Sequence, residues 1–156
     1  MRRLIGRART QRHRIAIVVY GLVNFGSYFR GREIAERLRA QDASCYPHLE
    51  TTYKYFTSFR PVYRSNLIRL AGMVNEELRA MVSDLNAELA DNSNMQLQYS
   101  DALATTDLSR VELLHPIDGW HASVEGHNVL AEAAFRDLGP SLEFLGIQSA
   151  QSNSRN

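Results

Sequence analysis

Apolar and polar positions change period several times along the chain, and each change marks an element. Residues 15–23, IAIVVYGLV, form a continuous apolar run rich in β-branched side chains. Such a run predicts a strand covered on both faces, as in a parallel sheet. LIGRARTQ before it reads as the end of a helix leading into that strand. NFGSYFRG after it, with two glycines, reads as turn. REIAERLRAQ fits a short helix. The stretch CYPHLETTYKYFTSFRPVY is dense in rings: Tyr46, Tyr53, Tyr55, Phe56, Phe59 and Tyr63, bracketed by Pro47 and Pro61. Residues 46–63 read either as an excursion packed on its own rings or as a lid or wall for an apolar substrate group.

The clearest periodicity lies in residues 65–90. Leu67, Leu70, Val74, Leu78, Met81, Val82, Leu85 and Leu89 recur at spacings of three and four, one apolar stripe on a polar rod. DNSN at 91–94 ends this helix. Met95, Leu97 and Tyr99 then alternate with Gln96, Gln98 and Ser100, which predicts a strand. A further helix follows Ser123, a suitable N-cap with Glu125 in the first turn. It runs through Val129, Leu130, Ala134, Phe135 and Leu138 and is expected to stop at Gly139–Pro140. Strands alternating with helices predict an α/β domain with a parallel sheet. Two visible strands leave both sheet edges open, so the sheet is expected to belong to a larger one.

Composition adds little to this picture. A length of 156 residues is one domain's worth, and 44% hydrophobic with 22% charged residues is ordinary for a globular protein. The net charge of +1 makes no case for nucleic acid or a membrane. Six arginines (Arg2, Arg3, Arg7, Arg9, Arg12, Arg14) and no acid fall in residues 1–14, so the remainder carries −5. That arm reads as a solvated helix face, or as a contact for phosphate or anionic lipid. Nine apolar residues after it are too few to span a bilayer, and NFGSYF offers no small-x-small cleavage site. Cys45 is the one cysteine, so neither an intrachain disulfide nor a CxxC metal site can form. QSAQSNSRN at the C-terminus, residues 148–156, reads as a disordered tail.

The chemistry concentrates in HPIDGWHASVEGH, residues 115–127. It lies between a strand and a helix, where α/β sheets build their sites. Asp118, three residues before His121, can fold back to accept the imidazole Nδ1–H, leaving Nε2 as a general base. His115 beside this pair raises the question of a metal site, but no third ligand or HExxH spacing accompanies it. His127 reads as a residue packing or capping at the helix start. Trp120 either shields the imidazole or fills the core.

DGWHASVEGHNVLAEAAF resembles the last motif block of the SGNH/GDSL hydrolases, which are serine esterases and lipases with a flavodoxin-like three-layer α/β/α fold. In that block an Asp and a His pair as Asp-x-x-His within a DGxHPSxxGH-like string. Asp118 and His121 take those places, Ser123, Gly126 and His127 match the remainder, and Ala122 stands where Pro is common. LIGRARTQRHRIAIVVYGLVNFGS, VNEELRAMVSDLNAELA and MQLQYSDAL resemble the upstream helices and strands of the same family. Among these, Asn75 and Leu78 match an Asn and Leu of the long helix.

The likeness covers residues 4–147. It implies an incomplete SGNH/GDSL-like domain over 1–147, corresponding to the C-terminal half of a family member, in a family whose members are often secreted. It implies ester hydrolysis without a cofactor or metal, on a small-molecule or lipid ester. Asp118 would orient His121, and His121 would act as base. The family's Gly-Asp-Ser nucleophile block and Gly-x-Asn-Asp oxyanion block are absent from this sequence. Ser27 after Gly26 is a poor substitute, because roughly 90 residues to His121 are too few for the intervening strand–helix units. The expectation is therefore a truncated enzyme with little activity alone. The alternative is an inactive remnant or binding module that uses residues 46–63 and the arginine-rich arm.

Overall fold

The computed structural model describes residues 13–55 and 57–147. The arginine-rich arm, the helix expected in LIGRARTQ, Phe56 and the tail 148–156 lie outside them. Two strands, β1 (Ile15–Tyr20) and β2 (Met95–Ser100), pair in parallel with Ile17 opposite Leu97. The helices are α1 (Phe25–Gln41), α2 (Leu49–Tyr55), α3 (Pro61–Glu88), α4 (Ala102–Thr105), α5 (Val124–Arg136) and α6 (Gly139–Phe144). Two 3₁₀ turns, Thr57–Phe59 and Val111–Leu113, complete the order. The protein is thus a mixed α/β structure with a parallel pair at its centre.

Alternation along each strand sends residues to opposite faces. Ile15, Ile17, Val19, Met95, Leu97 and Tyr99 face α3 and pack on Val82, Leu85 and Leu89. On the other face Gln98 accepts from Ser141 Oγ at 2.8 Å and donates to the Asp137 carbonyl at 2.7 Å, and Tyr20 donates to the Ala134 carbonyl at 2.9 Å. The pair therefore lies between α3 and the α5–α6 segment. All six residues of β1 are only half-buried, short of the two-sided burial its apolar run predicts. Among the described residues β1 has no partner strand on its far side.

Two asparagines of α3 fasten the sheet to the helix. The Asn75 amide accepts from Leu22 N–H at 2.7 Å and donates to the Leu22 carbonyl at 3.3 Å. Asn86 treats Leu97 the same way, donating at 2.9 Å and accepting at 3.4 Å. Each amide thereby satisfies a backbone N–H and C=O that have no strand partner.

Three expectations need correction. NFGSYFRG is not a turn: Asn24 caps α1 by accepting from Ser27 N–H at 3.0 Å, and the helix runs unbroken to Gln41. An Asn cap of this kind offsets the two glycines, each of which costs a helix about 1 kcal/mol. Gly139–Pro140 does not stop a helix but opens α6, because proline's fixed φ suits a first turn. The stripe on α3 is also only partly buried. Val82, Leu85 and Leu89 are covered, while Leu70 is exposed, because the short strands reach only the C-terminal part of a helix about 42 Å long.

Candidate functional site

A second apolar cluster lies away from the sheet and holds the Asp–His segment. Phe29, Ala35, Leu49, Phe59, Leu113 and Leu114 are buried there, with Phe25 and Trp120 against them. Phe25 stacks on Phe29 at 6.0 Å between ring centroids, and Phe59 meets Trp120 edge-on at 5.9 Å. Of residues 46–63, Phe59 is therefore a wall of this cluster. Its ring partners include Phe25, Tyr28 and Phe29 of α1 and Trp120 of the Asp–His loop. Tyr63 is exposed.

The loop from His115 to Ser123 is closed by its own backbone. Leu114 and Ala122 form an antiparallel bridge. His115 N–H donates to the His121 carbonyl and Ser123 N–H to the Leu113 carbonyl, both at 2.8 Å. Gly119 N–H reaches back to the His115 carbonyl at 2.8 Å. Gly119 itself turns the chain at φ +57, a region where side chains are strained. Ser123 then caps α5, accepting from Gly126 N–H at 3.1 Å while donating to the Glu112 carbonyl.

The loop is also held from below. Arg32 on α1 is fully buried, and its guanidinium donates to the Gly119 carbonyl at 2.8 Å and the Leu49 carbonyl at 3.1 Å. Tyr28 donates to the Trp120 carbonyl at 3.0 Å. Burial pushes the Tyr28 hydroxyl up to about 12, against the opposing pull of Arg32, so it stays a neutral donor. Sequence gives no sign of either role: Arg32 sits in an ordinary charged helix pattern, and its partner carbonyl is 87 residues away.

Within this frame Asp118 serves both the loop and the histidine. One carboxylate oxygen accepts from Trp120 N–H at 2.8 Å and His121 N–H at 3.1 Å. The other lies 2.7 Å from His121 Nδ1. Partial burial raises the Asp118 carboxyl, but the bonds from the His121 ring and the two backbone N–H groups outweigh it, and the net shift is downward. Asp118 is thus ionised at neutral pH. An ionised carboxylate on Nδ1 favours the Nδ1–H form of the neutral ring, which leaves Nε2 as the basic nitrogen. The Trp120 ring stands edge-on over the imidazole at 4.0 Å.

The other candidates separate from this pair. His115 Nδ1 accepts from Ile117 N–H at 3.4 Å. His127 is exposed on α5. Among the described residues no cluster of three His, Cys, Asp or Glu is arranged to hold a metal ion. Ser27 is fully buried: its hydroxyl donates to the Asn24 carbonyl at 3.0 Å and accepts from Leu108 N–H at 2.9 Å. It anchors the Leu108 loop to the start of α1 and is closed to any substrate. No helix of the described residues is long and apolar enough to cross a membrane.

His121 and Ala122 border a cavity of about 250 Å³, whose other walls among the described residues are Val23, Phe25, Tyr28, Phe59, Leu108, Leu113, Leu114, Trp120 and Leu130. His121 is the one nitrogen base among them, and none of them is Ser, Thr or Cys. Comparison with protein-family models, curated proteins and solved structures finds no match.

The close approach of α5 to the loop gives a test of the frame. A Cβ on Gly126 would lie 2.2 Å from the Leu113 carbonyl oxygen, whereas one on Gly72 of α3 meets nothing. Ala in place of helical Gly ordinarily stabilises by about 1 kcal/mol. Gly72→Ala should therefore raise stability by about that much, and Gly126→Ala should lower it by about 1–3 kcal/mol through overpacking, both read by urea denaturation.

The depressed Asp118 carboxyl gives a second test. A group titrating lower when folded adds stability above its unfolded value and loses it as pH falls through the folded one. The stability gap between the wild type and Asp118→Asn should hold from neutral pH down to the ordinary carboxyl value of 3.8 and shrink below it. A gap that does not change with pH contradicts the carboxylate's role.

Proposed function

We propose that Asp118 and His121 are the acid–base half of an ester-hydrolysing site of the SGNH/GDSL type. The 2.7 Å contact between Asp118 and His121 Nδ1 carries this reading. Residues in Asp-x-x-His spacing need not touch; here the loop bends so that they do, and the pair ends at the mouth of an apolar cavity. His121 Nε2 would take the proton from the attacking hydroxyl and return it to the leaving alcohol. Asp118 would hold the ring and stabilise the imidazolium between those steps. The substrate would be a small-molecule or lipid ester, and the step needs no cofactor.

Among the described residues the cavity walls include no Ser, Thr or Cys, and the sequence has neither Gly-Asp-Ser nor Gly-x-Asn-Asp. In this proposal the serine and the oxyanion donors come from another polypeptide segment, and this chain alone retains only base assistance to water. Such assistance contributes about 10²–10⁴-fold, far below a complete serine hydrolase. The same missing nucleophile favours a second reading, a binding module that has the pair but no reaction.

Hydrolysis of p-nitrophenyl butyrate separates the two. The first reading expects a slow rate above buffer that falls to background in His121→Ala, drops in Asp118→Asn and persists in His127→Ala. Equal rates for the wild type and His121→Ala remove the base assignment and leave the binding module.

A further inference from the structure

The cavity beside His121 has features of a ligand site that do not depend on ester chemistry. Its floor is closed by side chains that are almost fully buried, Phe59, Leu113 and Leu114. The His121 side chain, 60% exposed, stands at the rim. The walls come from α1, both 3₁₀ turns, α5 and the Asp–His loop, elements far apart in sequence. Among the described walls the lining is apolar with His121 as the polar group at the rim, and apolar lining with few polar groups is the usual composition of a small-molecule pocket.

The electrostatics at the rim select against a charged end. Asp118 is ionised and lies against the ring. Whatever the state of the imidazole, the pair together carries either no net charge or −1. An anionic head at Nε2 therefore gains no net positive partner. The Tyr28 hydroxyl is spent on the Trp120 carbonyl and stays neutral. The nearby Arg32 guanidinium is committed to the Gly119 and Leu49 carbonyls and does not line the cavity. A neutral hydroxyl can exchange a hydrogen bond with Nε2 in either ring form, because a hydroxyl both donates and accepts, whereas a carbonyl oxygen can accept only when Nε2 carries a proton.

Size limits the apolar part. A dry cavity of about 150 Å³ holds one benzene. By that measure 250 Å³ takes roughly eight to ten carbon atoms. We infer that this cavity is a binding site for one uncharged molecule with a compact hydrocarbon portion of that size, whose single polar end sits at His121 Nε2.

Trp120 lines the cavity and is the one tryptophan of the chain, so its emission reports occupancy directly. The experiment titrates the whole chain with n-alcohols from butanol to dodecanol, following Trp120 emission and checking stoichiometry by calorimetry. Each methylene that enters the cavity should tighten binding about fourfold. The gain should stop near decanol, once the space is full, at one molecule per chain. Octanoate should bind at least tenfold more weakly than octanol at neutral pH. Leu130→Phe, which narrows the cavity from α5, should move the plateau to a shorter alcohol.

A Trp120 signal that never responds overturns the site. Affinity still rising from decanol to dodecanol overturns the size-limited cavity in favour of surface adsorption. Octanoate binding as tightly as octanol overturns the rim assignment. Alcohols have no scissile bond, so none of these outcomes depends on whether the chain hydrolyses esters.

Discussion

One buried guanidinium ties α1 and α2 to the Asp–His loop. Arg32 leaves α1 and donates to the backbone of the Asp–His loop and of α2. Glu36, one turn on, lies 3.4 Å from Arg32 and also pairs with Arg64 of α3. Burying a cation is costly unless hydrogen bonds and a counter-charge replace water, and here carbonyls and a carboxylate do so. Removing one partner would leave the others buried and unsatisfied, which is worse than never having placed them there. The loop conformation that brings Asp118 to His121 is thus tied to the packing of three helices. The geometry of the Asp118–His121 pair is held by a residue that grips the loop through the Gly119 carbonyl.

The same logic explains the glycines that matter. Gly119 turns at a positive φ with Leu49 and Tyr46 3.2 Å from where its side chain would begin. Gly126 lets α5 press on the Leu113 carbonyl. Between them Asp118, Trp120 and His121 have little freedom. Preorganisation of this kind distinguishes a site from two polar residues near each other in sequence, because an oriented base spends no entropy on finding its geometry. It is equally what a rigid ligand pocket requires.

Much of this was legible in the sequence, and the failures have physical causes. The alternation in MQLQYS and the three–four spacing after Ser65 report burial directly, so β2 and α3 were found with small errors at their ends. The Ser123 cap and the Asp118–His121 contact are local, within three residues of their partners, and local pattern suffices for them. What failed was long-range or competitive. Asn24 turned a glycine-rich stretch into a helix, a choice between cap and turn that composition does not decide. Pro140 suits the start of a helix as well as the residue after one. Leu70 fits the stripe on α3 but has no strand beneath it. Arg32 and Tyr28 contribute through partners 87 and 92 residues away, and nothing in their own neighbourhood marks them.

The account rests on Asp118 setting the state of the His121 ring. Long-range ¹H–¹⁵N NMR of the imidazoles measures this directly at a pH where the ring is neutral. The structure predicts that the His121 proton resides on Nδ1, with Nε2 showing the shift of an unprotonated nitrogen, and that Asp118→Asn moves the population towards the Nε2–H form usual for free imidazoles. A wild-type ring already protonated on Nε2, unchanged by Asp118→Asn, would contradict it: the 2.7 Å contact would then not govern the base, and the loop would be a scaffold without directed chemistry.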